Sequence, residues 1–136
     1  MSALFSSFTL KDVTLRNRIA IPPMCQYSAQ DGFTNDWHAV HYAALARGGA
    51  GLVIVEATGV SPEGRITPAC LGLWDDAHVA GLAQVAAAIK AAGAVPGLAA
   101  DATCSAPGLR MVSCRPPVTV CGWMSASSFK LSSTPT

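Results

Sequence analysis

The segment with the clearest chemical potential is Pro-Pro-Met-Cys-Gln-Tyr at residues 22–27, which follows a short apolar run at residues 19–21. The two prolines must end that strand because proline cannot donate to a β-ladder. In parallel α/β folds the reactive groups lie at the carboxyl ends of strands, so Met24, Cys25 and Tyr27 stand where a ligand would lie. The alternative is a buried cysteine beside a packing tyrosine, since free cysteine is usually just buried. This segment alone leaves both interpretations open.

Four other polar residues could do chemistry, but their spacing supports it less. His38 and His41 lie three residues apart on one predicted helix face and could share a metal. Because no carboxylate or cysteine stands at ligand spacing, we interpret them as surface or packing histidines. Glu56 and Arg65 could bind a ligand or form a salt bridge with each other. No Ser-His-Asp or Cys-His arrangement can be assembled from spacing alone.

The first half of the chain predicts a hairpin, a strand and a helix. Residues 8–17 read as a short hairpin with its turn at Lys11-Asp12, followed by a buried strand at residues 19–21. Asn35 or Asp36 can cap a helix. The apolar face predicted for that helix consists of Trp37, Val40, Ala44 and Leu45.

The next elements alternate strand and helix. Residues 50–57 form a β-branched run that is apolar on both faces, as expected of a parallel strand covered on both sides. A long loop then leads to Asp75-Asp76, which are well placed to cap a second helix. The face predicted for this helix consists of Val79, Leu82, Ala86 and Ile89. Three glycines before the strand are interpreted as turn glycines, since they follow a helix and precede a strand: Gly48, Gly49 and Gly51.

A third strand begins at residues 94–99, so the predicted order is hairpin, β, α, β, α, β. Strands alternating with helices of this length indicate right-handed βαβ units in a parallel sheet. Both a doubly wound open sheet and a (β/α)₈ barrel supply that order. Three strands complete neither architecture.

Composition excludes several classes of function. The chain has 136 residues, of which 51% are hydrophobic and 12% charged, and its net charge is +1. A nucleic-acid surface would need clustered basic residues, and none is visible. The apolar stretches fall well short of the roughly 20 residues of a membrane span. The first residues lack a basic region before an apolar core, and the odd number of cysteines favours reduced thiols, so we expect a cytoplasmic protein.

The sequence changes character near residue 99. From there it is rich in Ser, Thr, Cys and Pro and shows no sustained periodicity. We therefore divide the chain into residues 1–98 and a divergent, poorly ordered tail at residues 99–136. Our hypothesis for the abrupt change is a shift of reading frame near Leu98, which the underlying nucleotides would test. The tail contains three of the five cysteines: Cys104, Cys114 and Cys121.

Three segments together carry a resemblance to a known family. LRNRIAIPPMCQYSAQDG at residues 15–32, ARGGAGLVIVEATGVSPEGRIT at residues 46–67 and LGLWDDAH at residues 71–78 resemble the N-terminal third of the old yellow enzymes, which are FMN-dependent ene-reductases. The likeness is greatest to the xenobiotic-reductase branch, which has a cysteine after the first strand. The resemblance implies an α/β fold that is a partial TIM (β/α)₈ barrel, with the hairpin at its bottom.

The resemblance also implies a site and a reaction. NADPH or NADH would reduce FMN, and the flavin would deliver hydride to an activated alkene such as an α,β-unsaturated carbonyl or a xenobiotic. The implied catalytic residues are Cys25, which would tune the flavin, and Tyr27, which would line the substrate pocket. The implied flavin contacts, chiefly through main-chain atoms, are Pro22, Pro23, Met24, Cys25 and Ala57.

The resemblance stops before the barrel is complete. Where the family has a flavin-contacting Gln on the third strand, this chain has Ala99 and Ala100, and no later family motif follows. A complete barrel needs about 250 residues. We therefore expect an oxidoreductase by family that is inactive as this truncated chain. The alternatives are a non-enzymatic fragment that self-associates through open strand edges, and a small binding module capped by the tail.

Overall fold

The computed structural model describes residues 2–101, which form a hairpin followed by a parallel sheet with two helices. All but the first residues of the divergent tail, and the three late cysteines with it, lie outside the described residues. The elements in chain order are β1 (Phe8–Leu10), β2 (Val13–Leu15), β3 (Ala20–Ile21), α1 (Asp36–Arg47), β4 (Leu52–Gly59), β5 (Leu71–Gly72), α2 (Ala77–Ala91) and β6 (Val95–Asp101), with single 3₁₀ turns at Ala3–Phe5 and Pro62–Gly64.

The hairpin is the predicted one. β1 and β2 pair antiparallel, with Leu10 opposite Val13 across the turn. Lys11 adopts a φ of 54°, the left-handed conformation that a two-residue hairpin turn requires.

The sheet is parallel, as the alternation of strands and helices predicts, and β4 lies at its centre. β6 pairs along one whole edge of β4. β3 pairs with the start of the other edge, and β5 pairs with its end. The short strand β5 was not predicted, because the two-residue segment lies inside a loop rich in Gly, Pro and Ser and has no periodicity of its own.

Helix α1 begins as predicted but buries a different face. Asn35 caps it by accepting a hydrogen bond from the Trp37 amide at 3.1 Å. The predicted apolar face is wrong: Trp37 is 52% exposed, Val40 is 66% exposed, Ala44 is exposed and Leu45 is only partly buried. The residues that face the sheet are instead His38, Tyr42 and Ala46. Polar rings can occupy this face because β4 supplies a partner for them.

Helix α2 follows the prediction closely. Asp76 occupies the N-cap position but makes no side-chain capping bond. The Asp75 carboxylate instead accepts a hydrogen bond from the Ala77 amide at 2.8 Å, so the first of the two predicted aspartates satisfies the helix start. Leu82, Ala86 and Ile89 are buried and Val79 is partly buried. The core therefore lies between the two helices and the sheet. No helix within residues 2–101 has the length and apolar character needed to cross a bilayer.

Arg16 ties the ends of both helices together at the amino-terminal edge of the sheet. Its guanidinium donates to the carbonyls of Ala46 at 2.5 Å, Ala50 at 2.9 Å and Ala92 at 3.4 Å. These carbonyls lie at or just beyond helix C-termini, where cations are favourable. Nearby, a Cβ at Gly51 would lie 2.7 Å from the Asn17 carbonyl, which supports the interpretation of this residue as a turn glycine.

Candidate functional site

The loop that follows β3 is a compact turn, held by hydrogen bonds between its own residues. The Gln26 side-chain amide donates to the Met24 carbonyl at 2.9 Å, and the Ser28 hydroxyl donates to the Gln26 carbonyl at 3.1 Å. Tyr27 has a φ of 51°, which non-glycine residues rarely adopt, and its side chain is 48% exposed. The turn, residues 24–28, therefore presents Tyr27 outward at some cost in backbone energy.

Cys25 lies partly buried in this turn, beside the end of β4. Burial raises the pKa of its thiol, while hydrogen bonding from the Ala57 amide lowers it. The charge of Glu56 raises it further, and hydrogen bonding with the Tyr27 hydroxyl lowers it. The net direction is upward from 9.0, so the thiol is protonated at neutral pH and can act as a weak donor.

Glu56 occupies a bulge in the central strand. Val55 pairs with Leu98 and Ala57 with Ala99, so Glu56 has no partner in the ladder between β4 and β6. A bulge leaves the extra residue unpaired and re-aims its side chain. The freed amide of Glu56 donates instead to the Tyr42 hydroxyl at 3.0 Å.

The carboxylate of Glu56 is fully buried and is held by donors from two elements. The Gln26 amide donates to Oε2 at 2.8 Å, and the Tyr42 hydroxyl donates to Oε1 at 3.1 Å. His38 Nε2 lies 3.6 Å from Oε1. His38 Nδ1 lies 3.1 Å from the Asn35 amide nitrogen and 2.9 Å from Asn35 Oδ1, and these contacts fix the ring at the start of α1. Burial lowers the pKa of His38, which leaves this ring neutral.

The salt bridge considered between Glu56 and Arg65 does not form. Arg65 lies 3.6 Å from the carboxylate of Asp31, and its guanidinium stacks 5.2 Å from the ring centre of Trp74. The bulge explains the difference, since it turns Glu56 toward Tyr42 and away from the loop that carries Arg65.

The two histidines of α1 have separate environments. His38 faces Glu56, whereas the His41 ring stacks on Trp37 at 5.7 Å and meets the edge of Tyr42 at 5.1 Å. Among residues 2–101 no three His, Cys, Asp or Glu side chains are grouped as metal ligands would be.

A small cleft lies beside Ala57 at the end of β4. Its volume is about 10 Å³, which is about the space needed to hold one water molecule and far too small for an aromatic ligand. A large planar ligand at this edge would have to lie against the outer surface, where Pro22, Pro23 and Met24 are exposed. The cleft is lined by Ala57, Thr58, Gly59, Gly64, Arg65, Ile66 and Cys70.

The structure therefore brings the predicted site residues to one edge of the sheet. Cys25 interacts directly with both the Ala57 amide and the Tyr27 hydroxyl, and the two prolines with Met24 belong to the same loop. Sequence reasoning missed the contribution of Glu56 and Tyr42 beneath the turn. The available signal was a lone carboxylate inside an otherwise apolar strand, which requires a buried partner.

Comparison with known proteins gives one consistent result. The sequence pattern described as the NADH:flavin oxidoreductase / NADH oxidase family matches residues 3–100. The chain is 48% identical over 99 residues to an NADPH dehydrogenase of Geobacillus thermodenitrificans, covering 71% of this chain and 29% of that protein. It is 52% identical over 92 residues to an NADPH dehydrogenase of Bacillus pumilus, covering 66% and 27%. The chain thus spans less than a third of these relatives.

Solved structures agree with the sequence relatives. Morphinone reductase superposes with a TM-score of 0.65 at 32% identity, over 71% of this chain and 25% of that one. An old yellow enzyme homologue from Zymomonas mobilis superposes with a TM-score of 0.65 at 34% identity, over 71% and 27%. The likeness confirms the predicted fold class, a partial (β/α)₈ barrel in which β3, β4 and β6 are consecutive strands.

Proposed function

Since the chain belongs to the NADH:flavin oxidoreductase / NADH oxidase family, that of the old yellow enzymes, we propose that its strand-end turn and the end of β4 form one side of an FMN site. The observation that carries the proposal is the contact of Cys25 with both Tyr27 and Ala57 at the carboxyl edge of the parallel sheet. Ligands of parallel α/β folds bind at that edge.

The described residues fit a flavin ring in size and donor chemistry. Ala57 has the smallest side chain that still carries a Cβ, so a flat ring can approach the strand end closely. Pro22, Pro23 and Met24 are exposed and supply main-chain atoms along an open face. The protonated thiol of Cys25 offers a weak, polarisable donor without adding charge.

FMN, when bound, supplies hydride chemistry that side chains lack. We propose that Pro22, Pro23, Met24, Cys25 and Ala57 contact its ring and that NADPH or NADH is the reductant. Cys25 would tune the ring by hydrogen bonding. Tyr27, with its hydroxyl close to the Cys25 sulfur and its ring exposed, would line the pocket for the substrate.

The substrate class that we propose is a small activated alkene, such as an α,β-unsaturated carbonyl compound. This activity belongs to the whole family protein, of which this chain spans less than a third. The described residues contribute one part of a site that further strands must complete. We therefore expect the 136-residue chain alone to bind FMN weakly and to show no turnover with NADPH.

Titration of FMN with the purified 136-residue chain tests the proposal, with fluorescence anisotropy of the flavin as the readout. We expect saturable binding that Ala57→Leu weakens about tenfold, equal to about 1.4 kcal/mol, by filling the space that the ring needs. Ala44→Leu is the matched control, since Ala44 is exposed on α1 and away from the turn.

Two results would contradict the proposal. Equal affinities of the wild-type chain and of Ala57→Leu for FMN would show that the flavin does not lie against the end of β4. No FMN binding, combined with elution as a large assembly, would favour the alternative of a self-associating fragment. β6 provides the edge for such association, because it pairs only with β4 among the described strands.

A further inference from the structure

We propose that Glu56 is a positioning residue, whose buried carboxylate fixes the turn that carries Cys25 and Tyr27. This inference rests on the proposed function of the turn as a flavin-contacting segment. It assigns a role to a residue that does not itself reach the outer surface, since Glu56 is fully buried.

The first argument is the burial of a carboxylate in an apolar strand. The neighbours Val53 and Val55 are both buried in the core, so an apolar residue would satisfy packing at this position. Burying a charge is unfavourable unless hydrogen bonds compensate for it. Glu56 obtains this compensation from the Tyr42 hydroxyl and from the Gln26 amide. One of its two donors is therefore the backbone of the turn itself.

The second argument is the bulge, which aims the carboxylate. Regular pairing at Glu56 would engage its amide with β6, whereas the bulge frees that amide for the Tyr42 hydroxyl. The same hydroxyl donates to Oε1, so Tyr42 fixes both the backbone and the side chain of Glu56. Oε2 is left for Gln26. Bulges recur next to active sites, where they re-aim a side chain.

The third argument is the conformation that the anchor holds. Tyr27 directly follows Gln26 and has a left-handed φ of 51°. A non-glycine residue persists in this region only when its surroundings determine it. The hydrogen bond of 2.8 Å from the Gln26 amide is the link from the residue preceding Tyr27 to the central strand. Without the carboxylate, the turn would relax and Cys25 and Tyr27 would lose their common orientation.

Hydrogen exchange of the Gln26 amide in the full 136-residue chain tests the anchor directly. We expect Glu56→Leu to accelerate this exchange about ten- to hundredfold relative to the amide of Val53, as suits loss of a bond to a charged acceptor. Glu56→Gln, whose amide oxygen can still accept, should give an intermediate acceleration. If Glu56→Leu fails to fold, Glu56→Asp replaces it, because the shorter carboxylate keeps its charge but withdraws from Gln26.

Arg16→Met is the control for general destabilisation, since Arg16 lies at the opposite edge of the sheet. It should accelerate exchange without a selective change at Gln26. A Gln26 rate that keeps its ratio to Val53 in every Glu56 variant would overturn the inference. An equal selective change in Arg16→Met would overturn it as well, since the effect would then not be local.

A parallel FMN titration separates this inference from the proposed function. In a wild-type chain that binds FMN, Glu56→Gln should weaken binding about tenfold, and unchanged affinity would overturn the positioning role. If the wild-type chain shows no binding of FMN, the proposed function fails, while the exchange of Gln26 still decides whether Glu56 anchors the turn.

Discussion

Tyr42→Phe removes one hydroxyl that makes two hydrogen bonds in the core. The hydroxyl donates to Glu56 Oε1 at 3.1 Å and accepts from the Glu56 amide at 3.0 Å. Tyr42 is 2% exposed and Glu56 is fully buried, so water cannot replace either bond without entering the core. Burial raises the pKa of Tyr42, which keeps the phenol protonated as a donor.

The expected cost of Tyr42→Phe follows from these contacts. A hydrogen bond to a charged acceptor contributes about 1.5–3 kcal/mol, and a buried amide left unsatisfied costs about 1–3 kcal/mol. We expect the free energy of unfolding to fall by about 3 kcal/mol. With a slope of about 1.5 kcal/mol per molar urea, the unfolding midpoint should move down by about 2 M.

Urea unfolding followed by far-ultraviolet circular dichroism measures this change. Tyr27→Phe is the matched control, because it deletes the same hydroxyl from a half-exposed side chain and should cost under about 1 kcal/mol. If the two variants lose equal stability, the network at Glu56 does not stabilise the fold and our account of the bulge is refuted. A changed slope would indicate an altered denatured or native state instead.

Three further predictions concern charge and pH. His38 has a pKa lowered from 6.5 by burial, so the unfolded chain takes up a proton first and stability should fall as pH drops from about 7 to 5. Urea midpoints measured across this range should show that His38→Gln flattens the slope, and an unchanged slope would contradict the prediction. Arg16→Met should cost about 2 kcal/mol in urea unfolding because three helix-end carbonyls lose a donor, whereas Arg18→Met, which removes one hydrogen bond from Nε to the exposed Ser6 hydroxyl, should cost less than half of that. The rate of alkylation of Cys25 by iodoacetamide, followed by peptide mass spectrometry, should rise with pH and reach its midpoint above the ordinary thiol value of 9.0, and a midpoint below that value would contradict the burial of its thiol.

The sequence predicts the order of the elements, apart from β5, because each of the others depends on local patterns. The turn at Lys11, the cap at Asn35 and the apolar run of β4 all follow from residue type and spacing. The face of α1 does not follow, since helical periodicity ranks Trp37 and Val40 above His38 and Tyr42 by hydrophobicity alone. Those polar rings are buried because of a partner in a distant strand, which no local window contains.

The candidate site, too, can be predicted from the sequence only in part. The position of Cys25 and Tyr27 after a strand that proline ends is readable from the sequence, and so is their place at the carboxyl edge of a parallel sheet. The bulge at Glu56 is not, because it depends on the register between β4 and β6. Tertiary pairing thus decides which carboxylate supports the turn, while local sequence decides where the turn lies.

The central claim is that flavin lies against the turn and the end of β4, and chemical-shift mapping tests it most directly. FMN is titrated into the ¹⁵N-labelled 136-residue chain while the backbone amide resonances are followed. We predict the largest shifts at the amides of residues 24–27 and at Ala57, with none in the hairpin at residues 8–15. Saturating FMN that shifts the hairpin, or that leaves residues 24–27 and Ala57 unchanged, would contradict the account.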